Sequence, residues 1–177
     1  MLDRKLYHII VQALGENFIK AYPDDFSKRI IVQKVLYLLT HGKSNLNITL
    51  PYQWSFYLYG PYSSEIAHMI YHINDFLREL DERPLELEVN EKSVIQNFNK
   101  FKEVIDEERH RNKDFQKIPE EQLYEIIATL IYASKQLGSN KNEIFRQFVN
   151  FKPELKESVS KSMFNNIYSI LNQYNYI

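Results

Sequence analysis

The feature that most narrows the fold is a helical period running through a chain almost without breakers. Only four glycines and six prolines punctuate 177 residues, too few for the many turns of an all-β fold. Between them apolar residues recur at three- and four-residue spacing, which gives a helix one buried stripe. Leu6, Ile9, Ile10, Ala13, Leu14 and Phe18 draw such a stripe over 3–20, and Tyr22-Pro23-Asp24-Asp25 ends it, because proline lacks a backbone N–H and restricts the residue before it. A second helix is expected over 27–41, capped by Ser27 and stopped by Gly42. Ser63 or Ser64 caps a third, which carries Ile66, Met69, Ile70, Ile73 and Leu77. Ser93 with Gln96 has capping-box spacing and opens a fourth helix reaching residue 109. Pro119 opens a fifth, closed by Gly138; Asn140 with Glu143 caps a short helix, and Lys152-Pro153 opens the last.

Two stretches change period. Residues 51–59, PYQWSFYLY, and residues 85–89, LELEV, alternate with period two and read as short strands that pair with each other. The expected fold class is therefore mainly α (α+β), with about six helices and a small antiparallel β element. Leu36, Tyr37, Trp54, Phe56, Ile66, Ile70, Leu130 and Ile131 are the expected core. A length of 177 residues suits a single domain, 1–177. A seam, if one exists, falls at 107–117, beside the charged stretch 103–114 that reads as a solvated helix end and linker.

Composition excludes several classes of function. The 22 Lys and Arg balance 23 Asp and Glu to a net charge of −1, which removes the general electrostatic case for nucleic acid. The absence of cysteine excludes disulfides, thiolate metal sites and thiol catalysis, and fits a cytoplasmic protein. No apolar run is long enough to span a bilayer, and MLDRKLYHII lacks the apolar core of a signal peptide. The four glycines are too scattered for a phosphate loop, and no GxSxG or paired catalytic carboxylates are present. No enzymatic activity and no cofactor are expected. Glu65, His68 and His72 share one helix face, yet without HExxH or a further ligand they read as polar residues of an amphipathic helix, and no metal is expected.

Two local features stand out. Between residues 75 and 91, Asp75, Glu79, Asp81, Glu82, Glu86, Glu88 and Glu91 face only Arg78 and Arg83, a local charge of −5. Such an edge either meets a basic partner or is a solvated edge protected by charge. The aromatic stretch 52–62 has base-stacking side chains, but no Lys or Arg lies in the 34 residues between Lys43 and Arg78. Direct nucleic-acid binding is not expected there, and core packing with tyrosine hydroxyls at the surface is.

The run KRIIVQKVLYLLTHG followed by YQWSFYLYGPYSSEI resembles the YwgA family of small bacterial and archaeal proteins. Gln33, Lys34, Tyr37 and Leu38 match its helix motif. Phe56, Tyr59, Gly60, Pro61, Tyr62 and Ser63 match its aromatic motif, with Ile66 where leucine is usual. The stretch 125–155 is similar to a later family region, and the resemblance covers residues 27 to 170. The domain is also similar to the C-terminal toxin-binding domain of DarG antitoxins, and more distantly to Panacea and SocA-like antitoxin domains. The resemblance implies a domain that binds a DNA ADP-ribosyltransferase toxin and occludes its DNA cleft. The DarG macrodomain has no counterpart in this length.

The leading expectation is a non-enzymatic protein-binding module: an antitoxin-like or anti-defence inhibitor of a nucleic-acid-acting protein, with no membrane association. Its expected contact residues are Asp75, Glu79, Asp81, Glu82, Glu86, Glu88 and Tyr62. A nucleic-acid-binding regulator with a winged-helix-like body is the alternative, and a metal-dependent enzyme using His68 and His72 a third. The family motif reads equally as a binding surface or as a folding nucleus. Gln33 and Lys34, one turn before Tyr37, are placed to hydrogen-bond the strand or the turn.

Overall fold

A computed structural model describes residues 2–43, 46–75, 86–138 and 140–177. The chain is mainly helical with one small antiparallel β element. In order, α1 is Leu2–Leu14, α2 Glu16–Ala21, α3 Phe26–Thr40, β1 Ser55–Tyr57, β2 Gly60–Tyr62 and α4 Ser64–Asp75. Then follow α5 Val89–Arg111, α6 Lys113–Gln116, α7 Glu120–Leu137, α8 Lys141–Phe151, a 3-10 turn Pro153–Leu155 and α9 Lys161–Gln173. The described residues thus hold nine α-helices against about six expected from periodicity.

The extra elements arise where one apolar stripe is cut by backbone geometry. The expected helix over 3–20 breaks at Gly15, which sits at φ 92, a left-handed value that a helix cannot continue through. The expected seam over 107–117 contains α6, capped by the Asn112 side chain, which accepts from the Asp114 N–H at 3.0 Å. Its Phe115 is fully buried, so the expected seam carries a core anchor immediately after the charged stretch. The last helix opens at Lys161 under a Ser160 cap, because Pro153 starts only a 3-10 turn.

Caps move too. Asp25, not Ser27, caps α3, accepting from the Lys28 N–H at 3.0 Å. Gly42 follows the cap residue His41 without a positive φ. It is glycine because a Cβ there would collide with the Leu46 carbonyl. α5 starts at Val89, and the Glu88 N–H donates to the Glu91 carboxylate at 2.9 Å, so Ser93 lies inside the helix.

The expected strand over 85–89 does not form among the described residues. Residues 86–88 are irregular and Val89 is helical; Leu85 lies outside the described residues. The alternation still has a cause, since Leu87 is buried between exposed Glu86 and Glu88. A side chain can alternate in and out without a hydrogen-bonded ladder. The strand partner of β1 is β2, immediately downstream, with Ser55 opposite Tyr62, Phe56 opposite Pro61 and Tyr57 opposite Gly60. Gly60-Pro61 is therefore part of a second strand as well as the approach to α4. A proline is tolerated there because a two-stranded ribbon has only edges.

α3 and α7 form the centre. Residues 30–39 of α3 are all buried, as are residues 123–131 of α7. Both helices are enclosed on every side, which requires apolar residues around the whole helix. They pack on each other, and β2 lies across both. Leu36, Tyr37, Ile66, Ile70, Leu130 and Ile131 are buried as expected. Trp54 and Phe56 are only half-buried. Phe56 packs against the rings of Tyr132 and Phe151, at 5.0 Å and 4.8 Å between centroids. No helix among the described residues is long and apolar enough to cross a membrane.

Candidate functional site

A helix enclosed on all faces has no place for polar side chains unless they are bonded. Gln33 and Lys34 are both 2% exposed in the middle of α3, and both reach the hairpin. The Gln33 amide forks onto the backbone of Ser63: its Oε1 accepts from the Ser63 N–H at 3.0 Å, and its Nε2 donates to the Ser63 carbonyl at 3.0 Å. The same Nε2 also donates to the Tyr22 hydroxyl at 3.4 Å. Lys34 Nζ donates to the Pro61 carbonyl at 2.8 Å. The Ser63 hydroxyl then accepts from the Ile66 N–H at 3.4 Å, so the hairpin leads directly into α4.

A second lysine grips the hairpin from the other side. Lys152, 1% exposed, donates to the Leu58 carbonyl. It pairs with Glu125 of α7 at 2.6 Å and with Glu154 at 3.5 Å. Its ammonium lies 5.8 Å from the Phe56 ring centre and 6.0 Å from that of Tyr59. Gly60 completes the clamp. It adopts φ 85, as a tight hairpin requires, and a Cβ there would sit 2.9 Å from the Thr129 hydroxyl. Thr129 Oγ1 is buried with no partner among the described residues.

Electrostatics follow from this burial. Desolvation pulls the Lys34 ammonium down to about 7, opposed by nearby Glu125 and assisted by Lys152. Desolvation also pushes the Tyr22 hydroxyl up to about 12, and pulls His41 down to about 4.

The clamp presents an aromatic surface. At the hairpin tip Tyr57 is 67% exposed, Leu58 68% and Tyr59 40%. Beside it a cavity of about 390 Å³ opens between α3, the hairpin and α4. Phe26 meets Tyr59 edge to face at 5.3 Å, and Tyr22 meets Tyr71 in the same way at 5.4 Å. Arg29 stands over the Phe26 ring at 5.5 Å and donates to the Tyr71 hydroxyl at 3.0 Å. Lys34 and Gln33 line the inner part, and Tyr62 completes the wall.

The family-motif residues therefore divide. Gln33, Lys34, Tyr37, Gly60, Pro61 and Ser63 are buried, whereas Tyr59 and Tyr62 face the cavity. Of the expected acidic contact residues, Asp75, Glu86 and Glu88 are exposed. Glu79, Asp81 and Glu82 lie outside the described residues. Glu91 faces inward, 5% exposed and paired with Lys5, so it belongs to the α1–α5 packing. His68 and His72 are exposed on α4. No group of three or more His, Asp or Glu among the described residues is placed to hold a metal ion.

Sequence reasoning missed Tyr22, Arg29, Tyr71, Glu125 and Lys152. The last two sit within the 125–155 stretch that resembles the family. Arg29 and Tyr71 are 42 positions apart and carried no local signal.

No family model, no curated protein and no solved structure matches the chain.

Proposed function

We propose that this chain is a non-enzymatic protein-binding module that occludes a nucleic-acid-acting partner, as an antitoxin does for a DNA-modifying toxin. The observation that carries the reading is the hairpin tip: Tyr57, Leu58 and Tyr59 stand in solvent, while buried Lys152 holds the Leu58 carbonyl and buried Lys34 that of Pro61 just after the tip. Exposed aromatic groups on a rigid support lose little entropy on docking and serve as interface anchors. The partner is a protein with a basic cleft, because exposed Asp75 lies one helical turn beyond cavity residue Tyr71. The cysteine-free chain acts in the cytoplasm.

The test uses any nucleic-acid-acting protein found to be encoded beside this chain. Its activity is titrated with the wild type and with the Tyr57→Ala/Leu58→Asp double variant. Stoichiometric inhibition that weakens at least about tenfold in the variant, with an unchanged melting curve, supports the reading. An enzyme that stays fully active at a molar excess of the wild type overturns it.

A further inference from the structure

A cavity whose walls are rings and whose lining charges, among the described residues, are both positive selects its ligand by chemistry. The space is about 390 Å³, within the range of small-molecule sites. The Phe26–Tyr59 and Tyr22–Tyr71 pairs stand edge to face with interplanar angles of 77° each, so the wall is built from rings in two orientations.

Arg29 and Lys34 are the charged residues that line the cavity. Arg29 gives one N–H to Tyr71 and has no ion-pair partner among the described residues. Lys34 is 2% exposed, donates to one carbonyl and likewise has no ion-pair partner there. Burial leaves the Lys34 amine only partly protonated near neutral pH, and an anion entering the cavity beside Arg29 favours its charged form. A cationic ligand, which rings alone would accept, is disfavoured by these two charges.

We propose that this aromatic cavity is a binding site for a mononucleotide-sized ligand: a planar aromatic ring stacked among Phe26, Tyr59, Tyr62 and Tyr71, with an anionic group such as phosphate on Arg29 and Lys34. Stacking accepts any base, since every base has a π-face. The Gln33 amide is spent on Ser63 and Tyr22, so it does not read base edges. The site therefore discriminates by charge and flatness far more than by base identity. This inference does not depend on a protein partner.

Calorimetric titration of the full chain with AMP tests it, with UMP, adenosine, inorganic phosphate and choline as comparisons. One saturable site per chain is expected. UMP should bind within about tenfold of AMP, and adenosine, phosphate and choline at least about tenfold more weakly. Arg29→Gln, at a half-exposed position, should weaken AMP at least about tenfold while leaving the melting curve unchanged. Tyr62→Leu removes a stacking wall without touching Arg29 and should weaken AMP and adenosine alike. A short oligodeoxyadenylate separates the two sources of this chemistry. Binding tighter than AMP assigns the site to a unit of a single strand, and equal or weaker binding to a free nucleotide. No saturable AMP binding up to about 10 mM, choline binding as well as AMP, or full AMP affinity in the Arg29 variant overturns the proposal.

Discussion

Replacing Lys34 by methionine isolates the cost of a buried charge and gives it a pH signature. In the folded chain burial brings the Lys34 ammonium from its ordinary 10.5 to about 7. The folded state therefore sheds this proton at neutral pH, while the unfolded chain keeps it up to 10.5. Wherever the unfolded state binds more protons, stability rises with pH. The penalty is thus fully present below pH 7 and is lifted as pH climbs from 7 toward 10.5. The difference of 3.5 between these two values corresponds to about 5 kcal/mol in total, at about 1.4 kcal/mol per pH unit. The neutral amine still donates to the Pro61 carbonyl, so raising the pH costs the hairpin nothing. Methionine has no proton to shed and leaves that carbonyl unpaired, at about 1–3 kcal/mol independent of pH. Urea unfolding of both proteins at pH 7.5 and 9.5 should show wild type gaining about 2–3 kcal/mol on the variant across that interval. Other groups titrate in both proteins and cancel in the difference. A stability difference that stays constant over those two pH units would refute the reasoning, and with it the burial of an unpaired ammonium under the hairpin.

Two further substitutions probe the same clamp. Gln33→Leu strands both backbone groups of Ser63 in the core and should cost about 2–4 kcal/mol, read as a fall in the urea midpoint; an unchanged midpoint would place Ser63 in contact with water. Gly60→Ala forces a side chain into φ 85 and against the Thr129 hydroxyl, which should cost about 1–3 kcal/mol in thermal unfolding. Thr129→Ala in the same chain should recover part of that loss by removing the clash, though not the backbone strain.

The helical class, an extended aromatic segment and the placing of Gln33 and Lys34 to hydrogen-bond the strand or turn were legible in sequence, because period and motif are local properties. Residues three and four apart lie on one helix face whatever the rest of the chain does, so the stripes of α1, α3, α7 and α9 could be read directly. Gln33 and Lys34 were marked by the motif they match and by their place one turn before Tyr37.

What the sequence could not decide was set by contacts between distant positions. Helix ends and strand partners turn on fractions of the local free energy, and neighbours elsewhere settle them. Phe115 lay within the possible seam over 107–117, yet the core takes it. Residues 86–88 alternate as a strand would, yet pack Leu87 without a ladder. The cavity itself is purely tertiary. It joins Arg29 of α3 to Tyr71 of α4 and sets both beside the hairpin. Its lysine acquires an unusual proton affinity only because folding takes it out of water. Amino-acid order determined that this chain would be helical with one extended aromatic segment, and packing chose its downstream neighbour as the strand partner. Three-dimensional packing alone decided that the hairpin would be clamped by two buried lysine side chains, and that Arg29 and Lys34 would line a ring-walled space beside it.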